Sequence, residues 1–402
     1  MNNINIDKEI LDEIEANEDL DDFELKRFTL NSYKIERSIR DIMDWIKREK
    51  IVVPKFQRKS VWTFNQSAKF IESILLGLPT PDLFMFRKVD KGEEKFLLID
   101  GFQRITTIRQ FIQGVFIKSN NEEKKFSIPF KNSNWSGKAY GNLDEEDINY
   151  INDYSLKISV FDSIQQKDQA TENNIMTSIF ERINTGSTTL TSQEIRHAVY
   201  FGQAVIKLEE LATNEYYLKN ILEDKQKDSS RRNNEELYLR LLTYYFVFKR
   251  LSEGVSSFDG DNKIKFYSSK KIMLDNFLNY INLNKLNGLE LLQNLSNDIN
   301  NTMKEISEKC SDAFYAYSLL RDQLYPKVYE PFAEALTLVI LKKSVPLCSR
   351  ENLLKIKKHI WIDFDQTKDT IKKYSEFFEN TTSLDNIIKR VQTLETLLTK
   401  MS

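Results

Sequence analysis

The spacing of apolar residues along the chain predicts a succession of short helices and strands in its first half. Helical spacing predicts a helix over residues 32–50 with Ser32 as its N-cap, and a second over residues 65–76 that Gly77 ends. Short apolar runs predict strands over residues 83–86 and 96–99, and alternating apolar and polar residues predict a half-buried strand over residues 155–161. A third helix begins near Gln103 and ends before Gly114.

The second half of the chain shows helical spacing almost throughout. One predicted helix contains Leu237, Leu239, Leu241, Leu242 and Tyr245, and another contains Phe314, Tyr317, Leu320 and Leu324. We therefore predict an α+β protein with a small mixed α/β domain over residues 26–205 and a helical domain over residues 206–402. Residues 1–25 are predicted to be a flexible acidic leader.

Composition excludes several classes of protein. Charged residues make up 29% of the 402 residues, and the longest apolar runs are far shorter than the ~20 residues that a membrane span needs. The polar start of the sequence does not resemble a signal peptide. Two cysteines cannot build a disulfide framework, and two histidines argue against a histidine-rich metal site. We expect a cytoplasmic protein that does not bind a membrane.

Charge is distributed unevenly. Residues 1–25 contain ten acidic residues and one lysine, whereas residues 26–118 contain 19 Lys and Arg against 10 Asp and Glu. A basic segment behind an acidic leader is typical of a protein that binds a polyanion, with the leader as an internal competitor. The alternative is that the leader is only a solvated, solubilising tail.

The segment FLLIDGFQRITTIRQF, residues 96–111, carries the clearest candidate chemistry. A predicted strand ends at Asp100, Gly101 allows close backbone approach, and a helix follows whose free N–H groups favour an anion. Gln103 and Arg104 lie in the first turn of this helix, and Arg104 is a bidentate partner for phosphate. Thr106 and Thr107 follow directly, and Asp100 would hold Mg²⁺ or orient either Arg104 or a water. The alternative is an ordinary helix start with Arg104 on the surface.

A second cluster, over residues 54–62, combines three cations, an amide and two aromatic rings. Lys55, Lys59 and Trp62 are candidate DNA contacts, with Trp62 stacking on a base, and Gln57 and Arg58 would bond a base edge or a phosphate. The alternative is a basic loop whose aromatic residues fill the core.

A third cluster runs from Phe180 to Arg196. Arg182 and Arg196 would converge on a phosphate, while Asn184 lies in a predicted turn. Thr191 and Glu194 have the spacing of a capping box, so the alternative is a turn followed by a well-capped helix.

In combination and order, these motifs resemble one family. The sequence contains Pro-x-Phe-Gln-Arg, then Ile-Leu-Leu-Gly-Leu-Pro-Thr-Pro, then Ile-Asp-Gly-Phe-Gln-Arg, then Phe-Glu-Arg-Ile-Asn-Thr-Gly. It resembles the DGQQR-motif family of ParB/sulfiredoxin-like domains, which form the N-terminal part of GmrSD-type modification-dependent restriction enzymes. The similarity covers about residues 30–205.

The resemblance implies a nucleotide-binding domain that hydrolyses or senses an NTP, with Mg²⁺, in anti-phage defence. It implies modified DNA and a partner nuclease or effector protein as partners. It places Asp100, Gly101, Gln103 and Arg104 on the signature motif and Gln57 and Arg58 on the first motif. On the third motif it places the nucleotide-binding residues Arg182, Asn184 and Glu194.

The sequence departs from the family pattern at two places. Phe102 replaces the family's first glutamine, and a phenyl ring cannot hydrogen-bond a phosphate or a water. His359 stands without the partners of an HNH nuclease, so we expect no built-in nuclease of that type.

Three hypotheses follow. The first is an NTP-hydrolysing, DNA-sensing switch, with Asp100, Gln103 and Arg104 as the catalytic residues. The second is a non-catalytic nucleotide- or DNA-binding module that docks an effector. The third is a Mg²⁺-dependent nickase using carboxylates such as those at residues 144–147.

Overall fold

The computed structural model describes residues 30–53, 62–90, 93–118, 122–162, 169–183, 192–200, 202–212, 233–261, 264–266, 269–318, 323–342, 345–366, 373–379 and 383–401. Backbone contacts divide the chain into two compact units, with the boundary between Val199 and Tyr200. The N-terminal unit mixes strands and helices and the C-terminal unit is mainly helical, which confirms the predicted α+β class.

The N-terminal unit contains seven strands and six α-helices among the described residues. They are β1 (Asn31–Ser38), α1 (Ile39–Lys47), β2 (Ile51–Val52), α2 (Phe64–Leu75), β3 (Leu83–Asp90), β4 (Glu93–Asp100), α3 (Phe102–Gln113), β5 (Val115–Ile117), β6 (Glu123–Lys125), α4 (Glu145–Asp153), β7 (Ser155–Asp162), α5 (Gln169–Ile183) and α6 (Ser192–Val199).

Five of these strands form one mixed sheet in the order β1-β7-β3-β4-β2. β3 and β4 form an antiparallel hairpin, and β3 runs parallel to β7, with Leu83 opposite Ile158. β1 is antiparallel to β7 over all eight of its residues. This topology brings the start of β3 next to the end of β4, because Phe84 lies opposite Asp100.

One face of the sheet packs on the apolar sides of α1, α2, α3 and α4. The core that results is made of aliphatic and aromatic side chains such as Ile42, Ile71, Leu98, Ile108 and Phe111. On the sheet's other face, the rings of Phe84 and Phe161 stack with their centroids 6.1 Å apart. α5 packs against β4. β4 is therefore held in the middle of the unit, and its end is a fixed point from which α3 begins.

The described part of the C-terminal unit contains eight helices and one β-hairpin. They are α7 (Gln203–Leu211), α8 (Asn233–Ser252), α9 (Lys270–Leu283), α10 (Lys285–Lys309), β8 (Tyr315–Ser318), β9 (Gln323–Val328), α11 (Glu330–Leu341), α12 (Arg350–Gln366), α13 (Ser375–Phe378) and α14 (Leu384–Met401). The helix predicted around Leu237 to Tyr245 is confirmed as α8. None of the described helices of either unit is long and apolar enough to cross a membrane.

Two predicted elements are wrong. Residues 31–38 form strand β1 instead of the first turns of a helix, and the N-cap is Ser38, whose hydroxyl accepts from the Asp41 N–H over 3.1 Å. Pairing with β7 along the whole strand overrides the helical spacing of the apolar residues. The helix predicted from Phe314 to Leu324 is the antiparallel hairpin of β8 and β9 instead. Pro326, which a helix interior does not accommodate, lies in its second strand.

Candidate functional site

The turn between β4 and α3 has the geometry that a strand–glycine–helix motif requires. Gly101 adopts φ +106°, a conformation that L side chains rarely adopt, and a Cβ on it would overlap Leu83 Cδ2. No described side chain caps the first turn of α3. The first N–H groups of this helix lie at the positive end of its dipole, which favours an anion.

Arg104 is turned inward from the first turn of α3. Its Nη1 donates to the backbone carbonyls of Pro81, over 2.7 Å, and Asp82, over 3.0 Å. Its Nη2 donates to Asp100 Oδ2 over 2.6 Å. The side chain is only 9% exposed, and burial lowers the pKa of its guanidinium while the neighbouring Asp100 raises it. Arg104 therefore ties the start of α3 to the segment before β3.

Asp100 differs from its partner because its side chain is 41% exposed. Arg104 bonds the Oδ2 atom of this carboxylate. The carboxylate therefore retains capacity to accept further hydrogen bonds from solvent or a ligand. Mg²⁺ binds through one or two carboxylates together with waters and phosphate oxygens. No group of three or more metal-binding side chains occurs in the described ranges.

Gln103 connects the signature motif to the first motif. The Trp62 N–H donates to Gln103 Oε1 over 3.5 Å, and Gln103 Nε2 is buried with no acceptor among the described residues. A buried donor without a partner costs about 1–3 kcal/mol, so this amide would gain stability from any hydrogen-bond acceptor that reaches it. The indole of Trp62 lies edge-on to Phe70, with centroids 5.4 Å apart.

A second carboxylate, on Asp82, lies beside Arg104. Asp82 accepts from Lys34 Nζ over 2.9 Å and from Ser159 Oγ over 3.1 Å, and the bond from Lys34 lowers its pKa. Sequence reasoning missed Asp82 and the Pro81 carbonyl, because a Leu-Pro-Thr-Pro turn does not reveal which later side chain its carbonyls accept from. The spacing of the motifs contains no signal for this contact.

The two threonines of the signature helix are buried. Thr107 is 1% exposed and its hydroxyl bonds Ser67 Oγ over 3.3 Å, between α2 and α3. Thr106 is 7% exposed. Thr107 thus joins the two helices, and phosphate binding by this pair stays a prediction without a contact that supports it.

Residues of the third motif fall into two environments. Arg182 is exposed in the last turn of α5, the helix that packs against β4. Glu194 and Arg196 are buried in α6, where Arg196 Nη1 donates to Gln193 Oε1 over 3.2 Å. Thr191 and Asn184, the predicted N-cap and turn residue, lie outside the described residues. So do Lys55, Gln57, Arg58 and Lys59 of the first motif and the acidic leader.

Carboxylates at the start of α4 have partners of their own. Asp144 accepts from Lys138 Nζ over 2.8 Å, and Asp147 accepts from Trp135 Nε1 over 2.8 Å. These contacts hold α4 to the loop that precedes it. They give the nickase hypothesis no support.

Comparison with known families gives one match. Residues 39–201 match the family described as GmrSD restriction endonuclease, N-terminal domain. Neither the curated proteins nor the solved structures contain a significant match to the chain. The match confirms the resemblance inferred from the motifs and indicates a component of a restriction-type defence system.

Proposed function

We propose, from the premise that residues 39–201 are a GmrSD-type N-terminal domain, that this domain binds and hydrolyses a nucleoside triphosphate and thereby controls DNA sensing in defence. The observation that carries the proposal is the exposed Asp100 carboxylate at the start of α3, held in place by the buried Arg104. The turn offers a backbone anion site and an exposed acidic oxygen side by side.

The proposed roles differ from residue to residue. The N–H groups at the start of α3 would bind phosphate oxygens, and Gly101 would allow the phosphate to approach the backbone. Asp100 would hold Mg²⁺, which supplies charge neutralisation for phosphoryl transfer. Arg104 keeps the carboxylate in position, because its guanidinium already bonds Asp100 and two carbonyls. The Gln103 amide would donate to the bound nucleotide.

Two features of the chain support DNA as a ligand, namely its basic segment and its family match. The basic segment of residues 26–118 suits a polyanion, and the family is that of restriction enzymes. If DNA binds through this segment, its affinity should fall steeply as salt concentration rises, because bound counterions are released. A DNA affinity that does not change with salt concentration would contradict binding through this segment. In this proposal, the DNA-sensing domain in turn controls a separate effector protein.

The test of the proposal is nucleotide turnover by the full chain with Mg²⁺. Asp100→Asn should lower turnover by at least about tenfold, corresponding to ~1.4 kcal/mol of transition-state stabilisation. Asp44→Asn is the matched control, since Asp44 also pairs with an arginine four residues away and its side chain is 43% exposed. Equal turnover in the wild type and Asp100→Asn would contradict the proposed site.

A second candidate function is nucleotide binding without hydrolysis. It is favoured by Phe102, which stands where the family has glutamine and packs against the hydrophobic core. Calorimetry separates the two candidates: binding of an NTP with no release of phosphate supports the second. In that case Phe102→Gln, which restores the amide, is the variant in which turnover should appear.

A further inference from the structure

Strand β1 is an edge strand of the five-stranded sheet. Among the described residues its only strand partner is β7. Its residues are mostly exposed, and the strand is about 26 Å long at ~3.3 Å per residue. β1 contains neither proline nor a bulge, two devices that commonly protect an edge. The outward backbone groups of this edge therefore have no strand partner within the part of the chain that the structure describes.

Two contacts show which backbone groups point outward. The Ile39 N–H donates to the Tyr154 carbonyl over 3.0 Å, which continues the β1–β7 register by one residue. Because hydrogen-bonded pairs alternate along antiparallel strands, odd-numbered residues of β1 bond β7 and even-numbered residues face outward. The Glu36 carbonyl fits this pattern, because it accepts from the side chain of its neighbour Arg37 over 2.8 Å and not from β7.

We propose that β1 pairs with β1 of a second copy of this chain, antiparallel and centred on Ile35. The two sheets would join into one sheet of ten strands with a twofold axis at Ile35. This inference concerns an interface and does not depend on the proposed nucleotide chemistry.

The charge pattern of the strand selects this register. Outward-facing residues must pair with outward-facing residues, so only every second register is available. Centring on Ile35 places Lys34 opposite Glu36 twice. Sliding by two residues places either Lys34 opposite Lys34 or Glu36 opposite Glu36. Opposite charges facing each other across strands are favourable and like charges are not.

The other face of the strand is compatible with the same register. Tyr33, which is 40% exposed, would lie opposite Arg37 of the second copy, and a guanidinium over a phenol ring is favourable. Arg37 now lies over the Trp45 ring at 5.3 Å and bonds the Glu36 carbonyl. In the pair, the Glu36 carbonyl would accept from the N–H of Lys34 in the second copy instead. The Arg37 side chain would then be free to move towards Tyr33 of the second copy.

Charge reversal tests the register. We expect wild-type chain to sediment as a dimer at micromolar concentration, and Glu36→Lys to raise the dissociation constant by at least about tenfold. The double variant Lys34→Glu/Glu36→Lys restores opposite charges across the axis and should return the dissociation constant to within about threefold of wild type. A monomeric wild-type chain, or a dimer that these variants do not change, would overturn the proposal.

Cross-linking provides a second measurement that does not depend on charge, because Lys34 also pairs with Asp82 within one chain. Ile35→Cys would face its own copy in a non-hydrogen-bonded pair, where Cα atoms are about 4.5 Å apart and a disulfide can form. Under mild oxidation this variant should give a covalent dimer. Tyr33→Cys, about 13 Å from its copy, and wild type, with Cys310 and Cys348, should not. Absence of the Ile35→Cys dimer would overturn the register.

Discussion

Both units of the molecule bury arginine, but they do so in opposite ways. In the N-terminal unit, Arg104 is paired with Asp100, whose carboxylate is 41% exposed. In the C-terminal unit, Arg240 and Arg390 both lie next to Glu334, and all three side chains are buried. The first cluster presents an acidic oxygen to solvent, whereas the second closes around the buried Glu334 carboxylate. Glu330, whose side chain is 24% exposed, also pairs with Arg240. The comparison separates a cluster with an exposed carboxylate from one whose shared carboxylate is buried.

The closed cluster gives the largest expected effect. Glu334→Ala would leave the positive charges of Arg240 and Arg390 buried without this carboxylate, so the C-terminal unit should lose about 3–5 kcal/mol of unfolding free energy. Chemical denaturation, monitored by circular dichroism, measures this loss of unfolding free energy. Glu305→Ala is the control, because its pair with Lys309 is half-exposed and should contribute under ~1 kcal/mol. Similar losses in both variants would remove the distinction between closed and exposed pairs.

Arg104→Ala comes next. It removes three donated hydrogen bonds and leaves the carbonyls of Pro81 and Asp82 without this donor, so we expect a loss of roughly 2–4 kcal/mol. Arg48→Ala is the matched control, since Arg48 also pairs with an aspartate four residues away but its side chain is 75% exposed. Arg48→Ala should lower the unfolding free energy by no more than ~0.5 kcal/mol. An Arg104 variant as stable as wild type would show that this arginine does not hold the turn.

Gly101→Ala should have an intermediate effect. The left-handed backbone and the overlap with Leu83 together predict a loss of about 2 kcal/mol or more. Gly114 has φ +73° and open space around it, so Gly114→Ala should lose only ~1 kcal/mol. Thermal unfolding of the two variants compares them directly. Equal losses would mean that backbone conformation alone, and not contact with Leu83, requires glycine at 101.

A buried lysine sharpens the comparison because lysine, unlike arginine, can lose its proton. Lys357 is buried, donates to the carbonyl of Tyr315 over 2.6 Å, and burial lowers its pKa to about 7. Between pH 7 and 10 the unfolded chain binds more protons at this site than the folded chain, so stability rises with pH.

From pH 6.5 to 8.5 this lysine should raise the unfolding free energy by about 1–2 kcal/mol. The rise must be measured below pH 9, because burial raises the pKa of the nearby Cys310 thiol to about 11, and this shift offsets the rise at higher pH. Lys357→Met should abolish the rise. A slope that persists in this variant would assign the pH dependence to other groups.

The predictable features of the fold are those fixed by local sequence. The Thr63–Gln66 capping box starts α2, Gly77 follows its end with φ +70°, and α3 begins directly after Gly101. β1 was missed because its side chains repeat with helical spacing, while its partner β7 lies over a hundred residues away. Long-range pairing of this kind has no local signature.

The candidate site was predictable to a similar degree. Asp-Gly at the end of a strand identified the turn, and the motif order identified the family. The inward direction of Arg104 was not predictable, because it depends on carbonyls at Pro81 and Asp82 that only the sheet brings within reach. Asp100 was proposed either to hold Mg²⁺ or to orient Arg104, and the geometry shows the contact between these two side chains.

Asp100→Asn is the variant with the smallest expected effect on stability and the most direct bearing on the central claim. We expect its unfolding free energy to fall by under ~1 kcal/mol, since the carboxylate is partly solvated. Calorimetric titration with Mg²⁺ and a non-hydrolysable nucleoside triphosphate should show binding to wild type and to Asp44→Asn, and at least about tenfold weaker binding to Asp100→Asn. Equal affinity in all three proteins would contradict the assignment of the exposed carboxylate to nucleotide binding.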